Sequence, residues 1–148
     1  ASGSVGTYAV QLAKHHFGTV VTGVCSASNL DLVTTLGADQ VIDYTQADFT
    51  RRGKTYDLVF DAVGKTSAAC VKKVLAPTGT YLNVNTSSAG GERVEILNVL
   101  KELIEAGTIR PVIDRCYPLE QIVEAHRYVG TGHKRGNVAV TITRDSAA

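Results

Sequence analysis

Gly3 and Gly6 stand three residues apart in the opening run Ala1-Ser2-Gly3-Ser4-Val5-Gly6, with only small side chains between them. Glycines so spaced at the start of a helix leave backbone amides free to approach an anion, and the helix dipole adds to the attraction. That is the chemistry of holding a pyrophosphate. The same spacing also opens ordinary helices, and the fuller glycine fingerprint adds a preceding strand, which would fall before position 1, and a first glycine two residues before Gly3, where Ala1 stands.

In a dinucleotide-binding unit the ribose is read about 20 residues past the glycine turn, at the end of the next strand. A carboxylate there would bind the 2′-hydroxyl of NAD and repel the extra phosphate of NADP. Cys25 and Ser26 occupy that place, and the next carboxylate is Asp31, inside the following helix. A hydroxyl can donate to a phosphate, so the turn leans to NADP, although it holds no Arg or Lys and Ser26 and Ser28 also suit a plain turn and cap.

Other chemistry has less footing. Gly53-Lys54-Thr55 and Gly64-Lys65-Thr66 resemble the end of a triphosphate-binding loop, but Asp48 and Val59 stand where that loop needs its first glycine. No Tyr lies four residues before a Lys, as a short-chain dehydrogenase requires. His15, His16, His126 and His133 have no metal-ligand spacing and are expected on the surface. A nucleophile elbow is absent too.

The elements that must position these residues alternate. A helical stripe of Val5, Ala9, Leu12, Ala13 and Phe17 closes at Gly18, and a β-branched run from Thr19 to Cys25 follows. Ser28 and Asp31 have the spacing of a capping box for a short helix to Leu36. Strands are expected at 40–42, 56–60 and 80–84, with a helix from Thr66 to Leu75. After the small polar stretch 86–91, Val94, Leu97, Leu100, Leu103 and Ile104 line one face of a helix ending at Gly107. A helix at about 119–129 and a strand at 137–142 complete the chain, and residues 143–148 are expected to be a disordered tail. This βα rhythm predicts an α/β fold, a parallel sheet with helices on both faces.

Composition fits one globular domain: 148 residues, 44% hydrophobic, 20% charged, formal net charge +1. Scattered Lys and Arg argue against nucleic acid, and no apolar stretch is long enough to cross a bilayer, so a cytoplasmic protein is expected. The three cysteines, Cys25, Cys70 and Cys116, are widely spaced and read as reduced, buried, apolar residues.

Several stretches together resemble the medium-chain dehydrogenase/reductases: Ala-Ser-Gly-Ser-Val-Gly-Thr at the start, Val-Thr-Gly-Val-Cys-Ser, the run from Leu36 to Tyr44, and Tyr56 to Gly64. Leu103 to Gly107, Pro111 to Asp114, Pro118 to Glu120, Glu124 to His126 and Arg135 to Val138 are similar to its zinc-independent, quinone-oxidoreductase-like branch. The resemblance implies a Rossmann-type doubly wound sheet in three α/β/α layers over residues 1–142. The first strand, a late strand segment around Ser87–Gly91 and the GroES-like substrate domain are expected to be missing.

Carried over by position, the resemblance puts pyrophosphate contacts on Ser2, Gly3, Ser4, Val5 and Gly6, and a 2′-phosphate pocket on Cys25, Ser26, Asn29 and Tyr44. Asn29 departs from the Lys or Arg often found at or beside it. Ala62 and Val63 would flank the ribose, Val84 and Asn85 would approach the nicotinamide, and Asp43 and Asp61 would organise turns. The implied activity is hydride transfer between NADP(H), preferred over NAD(H), and a quinone, enone or other activated small molecule. No zinc is expected, no catalytic residue is assigned, and the intact protein is a possible homodimer. The alternatives are a nucleotide-binding structural or regulatory protein without turnover, and a methyltransferase, which would want an acidic residue where Cys25 and Ser26 stand.

Overall fold

The computed structural model describes residues 1–86 and 93–142. The chain opens directly on helix α1 (Ser4–Gln11), which continues through a wider π turn to His16 and stops before Gly18. Its buried face is Gly6, Thr7, Val10 and Gln11, not the expected stripe, for Val5 and Phe17 are 44% and 69% exposed. Hydrogen bonding explains the offset. Thr7 Oγ1 donates to the Ser4 carbonyl at 3.0 Å, and the Gln11 amide pairs with both backbone groups of Arg110, so two polar side chains are buried with their needs met.

Strand β1 (Thr22–Cys25) pairs in parallel with β2 (Gln40–Asp43), in the register Thr22↔Gln40 to Cys25↔Asp43. Between them lies α2 (Leu30–Thr35). The expected capping box does not form: a single 3-10 turn over 27–29 precedes α2, and no side chain caps either element. Ser28 sits within that turn, so its hydroxyl cannot reach the amides at the start of α2. Val10, Cys25, Val33, Leu36 and Ala38 form the core here, packed by Val21, Leu30, Leu32, Val41 and Val112.

Strands β3 (Tyr56–Asp61) and β4 (Leu75–Asn83) form a second parallel pair, joined by the short helix α3 (Ala68–Lys72), whose first turn is capped by Ser67. The expected helix to Leu75 ends early. Leu75 already pairs with Tyr56, and a register shift then brings Leu58 opposite Thr80. Helix α4 (Val94–Glu105) is followed by β5 (Ile113–Pro118), α5 (Ile122–Gly130) and β6 (Asn137–Thr141), with β5 and β6 again parallel.

Among the described residues every strand pairing is parallel, in three two-stranded sheets. No helix among them is long and apolar enough to cross a membrane. The link Ser87–Gly91 and the tail 143–148 lie outside the described residues.

Candidate cofactor site

Parallel strands carry ligand sites at their carboxyl ends, where the following loops gather. Of the predicted residues, Cys25 ends β1 with Ser26 and Asn29 after it, Tyr44 follows β2, Ala62 and Val63 follow β3, and Val84 and Asn85 follow β4, while Ser2 to Gly6 lie at the start of α1. Gly3, Ser4, Val5 and Gly6 line one open cleft of about 160 Å³ with Ala1, Ala62, Val63 and Lys134. That is room for a group the size of a diphosphate and not for a larger molecule.

Gly6 is demanded by close approach: a Cβ there would stand 2.6 Å from the Ala1 carbonyl oxygen. Gly3 is different, since a Cβ there would meet no protein atom within 4 Å and would project into open space. Ser2 contributes backbone, its carbonyl accepting the Gly136 N–H at 2.8 Å. Gly3 and Gly136 form an isolated parallel bridge, so the turn is braced by a segment more than 130 residues away.

At the end of β1, Asn29 Nδ2 donates to Ser26 Oγ at 2.9 Å, and Ser26 Oγ lies 3.3 Å from Ser28 Oγ. Asn29 Oδ1 is buried without a hydrogen-bond partner, so the turn holds an unmet acceptor of the kind a ribose hydroxyl would satisfy. The Tyr44 amide donates to the Cys25 carbonyl at 3.1 Å, which sets the two strand ends side by side, while the Tyr44 side chain is 63% exposed. Cys25 itself is buried, and burial pushes its thiol up, so it stays neutral and packs. Cys70 and Cys116 are exposed instead, contrary to expectation: each lies on a face that nothing among the described residues covers.

Asp61 and Asp43 organise turns, as the resemblance implies. Asp61 accepts from the amides of Val63, Gly64 and Thr66 at 2.8 to 3.0 Å, which fixes the loop that carries Ala62 and Val63 to the cleft. Burial alone would raise its carboxyl, but these three amides outweigh burial and hold it below the usual carboxylate range. Asp43 accepts from the Thr45 amide and hydroxyl. Val84 and Asn85 follow β4 beside the same loop, the Val84 amide donating to the Asp61 carbonyl at 3.1 Å. The four histidines are exposed, and among the described residues no group of His, Cys, Asp or Glu side chains could hold a metal.

Sequence reasoning gave no role to Lys134 or to Arg135, which entered only as the first residue of the Arg135 to Val138 stretch of the resemblance. Lys134 Nζ donates to Ser4 Oγ at 2.5 Å and to the Gly136 carbonyl at 2.7 Å, and Arg135 Nη2 donates to the Ser28 carbonyl at 2.9 Å. No local signal marks them, because their meaning depends on tertiary neighbours far back in the chain.

A family model described as zinc-binding dehydrogenase matches residues 36–94 and 85–140. The chain is 35% identical over 94% of its length to an NADPH-dependent alkenal/one oxidoreductase, chloroplastic, of Arabidopsis thaliana. It has the same identity and coverage to a 2-methylene-furan-3-one reductase of Solanum lycopersicum, and it spans 38% of each of these two relatives. The solved quinone oxidoreductase from Coxiella burnetii superimposes with a TM-score of 0.76 at 26% identity, over 96% of this chain and 50% of that one.

Proposed function

Because the chain belongs to the zinc-binding dehydrogenase family of medium-chain dehydrogenase/reductases, we propose that it is the dinucleotide-binding part of an NADPH-dependent oxidoreductase acting on a quinone, enone or other activated carbonyl or alkene. The observation that carries this reading is the Gly3–Gly6 turn at the start of α1, opening on a cleft shared with Ala62 and Val63. The cofactor, when bound, supplies the hydride. The amides and small side chains of Ser2, Gly3, Ser4, Val5 and Gly6 hold its diphosphate. Ser26, Asn29 and Tyr44 hold the 2′-phosphate, with Cys25 as apolar wall, and the absence of a carboxylate at this strand end favours NADP(H) over NAD(H). Ala62, Val63, Val84 and Asn85 border the ribose and nicotinamide, and the Asp61 turn keeps that edge rigid.

The reaction in this reading is orientation and exclusion of water around a reactive cofactor, without zinc, and residues 1–142 act as one dinucleotide-binding domain. In this reading a separate substrate domain belongs to the intact protein, since the two relatives are more than twice as long as the stretch they share with this chain, and a homodimer is proposed as its assembly. The exposed free thiols of Cys70 and Cys116 support a reducing location, the cytoplasm.

The test is a fluorescence titration of the full-length protein, shown by circular dichroism to be folded, with NADPH and in parallel NADH. Tight NADPH binding, weaker NADH binding and oxidation of NADPH by quinones or enones are expected. A folded protein that binds neither nucleotide ends this reading.

A further inference from the structure

We propose that Lys134 and Arg135, neighbours on the segment entering β6, divide the cofactor's anionic groups between them. Lys134 neutralises the diphosphate at the Gly3–Gly6 turn, and Arg135 neutralises the 2′-phosphate at the Ser26–Asn29 turn. The inference rests on the cofactor reading above and deepens it, because the β1–α2 turn brings hydroxyls and an amide but no cation of its own.

From neighbouring positions the Lys134 side chain reaches Ser4 at the head of α1 and the Arg135 side chain reaches the Ser28 carbonyl, across sequence separations of 130 and 107 residues. Lys134 also lines the cleft itself. Both cations have only neutral partners, a hydroxyl and carbonyl oxygens, and among the described residues neither joins an ion pair with a carboxylate. Asp114 lies near enough to Arg135 for their charges to interact, but its carboxylate is taken up by the Arg135 backbone amide and the Tyr128 hydroxyl, so two cations without an ion pair stand beside two anion-sized turns and suit a ligand with two separated phosphate groups. One donor of the Arg135 guanidinium is spent on Ser28, leaving four others for a phosphate.

The backbone beneath them is fixed without either side chain. The Gly136 amide donates to Ser2, the Asp114 carboxylate accepts from the Arg135 amide at 3.0 Å, and Asp114 is held in turn by the Tyr128 hydroxyl. Side-chain variants at 134 and 135 therefore leave the fold in place. Asp114 acts as a positioning residue, for it touches the backbone of Arg135 and not the cleft.

The experiment titrates the full-length protein and its Lys134→Gln, Arg135→Gln, Lys134→Arg and Arg135→Lys variants with NADPH and with NADH, alongside thermal midpoints without ligand. Arg135→Gln is expected to weaken NADPH binding about 10- to 100-fold and to leave NADH within about twofold, the range a charge-assisted contact spans. Lys134→Gln is expected to weaken both nucleotides by a similar factor, on the order of tenfold, and the Lys-to-Arg and Arg-to-Lys exchanges to restore part of the loss. Unchanged affinities in folded variants, or an Arg135→Gln loss equal for both nucleotides, would overturn the assignment while wild-type binding keeps the cofactor reading intact. Failure of the wild type to bind either nucleotide removes both together.

Discussion

Gly3 and Gly6 share a side-chain type and a turn but differ in what their missing Cβ protects. A Cβ at Gly6 would collide with the Ala1 backbone, so Gly6→Ala must move α1 and should lower both the thermal midpoint and NADPH affinity. A Cβ at Gly3 meets no protein atom, so Gly3→Ala should fold normally and lose affinity alone, which a melting curve beside a titration will separate. Asp61 gives a pH signature. Its three backbone amides hold the folded carboxyl below the ordinary value, so its contribution is complete above the unfolded pKa of about 3.9 and is lost as pH falls through the lower folded value. Asp61→Asn should lower stability by about 2 kcal/mol near neutrality, because it removes the charge that strengthens the bonds from Val63 and Gly64 and sets an NH2 donor against the Thr66 amide, and the gap to wild type should close in strong acid. A constant gap down to about pH 2 would contradict this sign. The glycine turn was readable because its requirement is local. Lys134 and Arg135 were not, because a cation's partner is set by the fold and neither neighbour in sequence betrays it.

Buried amides often act as substitute backbone, and Gln11 joins elements in this way. Its side chain donates to the Arg110 carbonyl and accepts from the Arg110 amide, fastening α1 to the strand-like segment ahead of β5 much as a neighbouring strand would. Gln11→Leu keeps the volume and strands both Arg110 groups, so it should destabilise by about 2–3 kcal/mol, measurable by denaturant unfolding. The stripe read from apolar periodicity, Val5 to Phe17, leaves Gln11 out, because a polar residue whose hydrogen bonds are met on burial gives no apolar signal. The same blindness affected β5, where Ile-Asp-Arg-Cys-Tyr-Pro offers no clean apolar alternation and only the pairing with β6 makes it a strand. By contrast β1 and β2 were legible from their β-branched residues and β3 from its aromatic and aliphatic run. The end of α3 was misplaced since Leu75 suits a helix as well as the strand that Tyr56 draws it into.

For the molecule as a whole, the alternation of strands and helices was enough to predict parallel pairing, while the division into three two-stranded sheets was not visible in periodicity. The proposal of zinc-free chemistry makes its own forecast: metal analysis of the full-length protein should find far less than one zinc per chain, and prolonged chelation should leave NADPH oxidation unchanged. Loss of activity on chelation, with recovery on adding zinc, would refute it. A different consequence follows from the bridge between Gly3 and Gly136. The glycine turn, among the first residues of this stretch to leave the ribosome, must wait for almost the last before its brace arrives. During synthesis the glycine turn is therefore only half built, and, on the proposed cofactor reading, a chain arrested before residue 134 should gain no protection from NADPH against protease, whereas one released past β6 should.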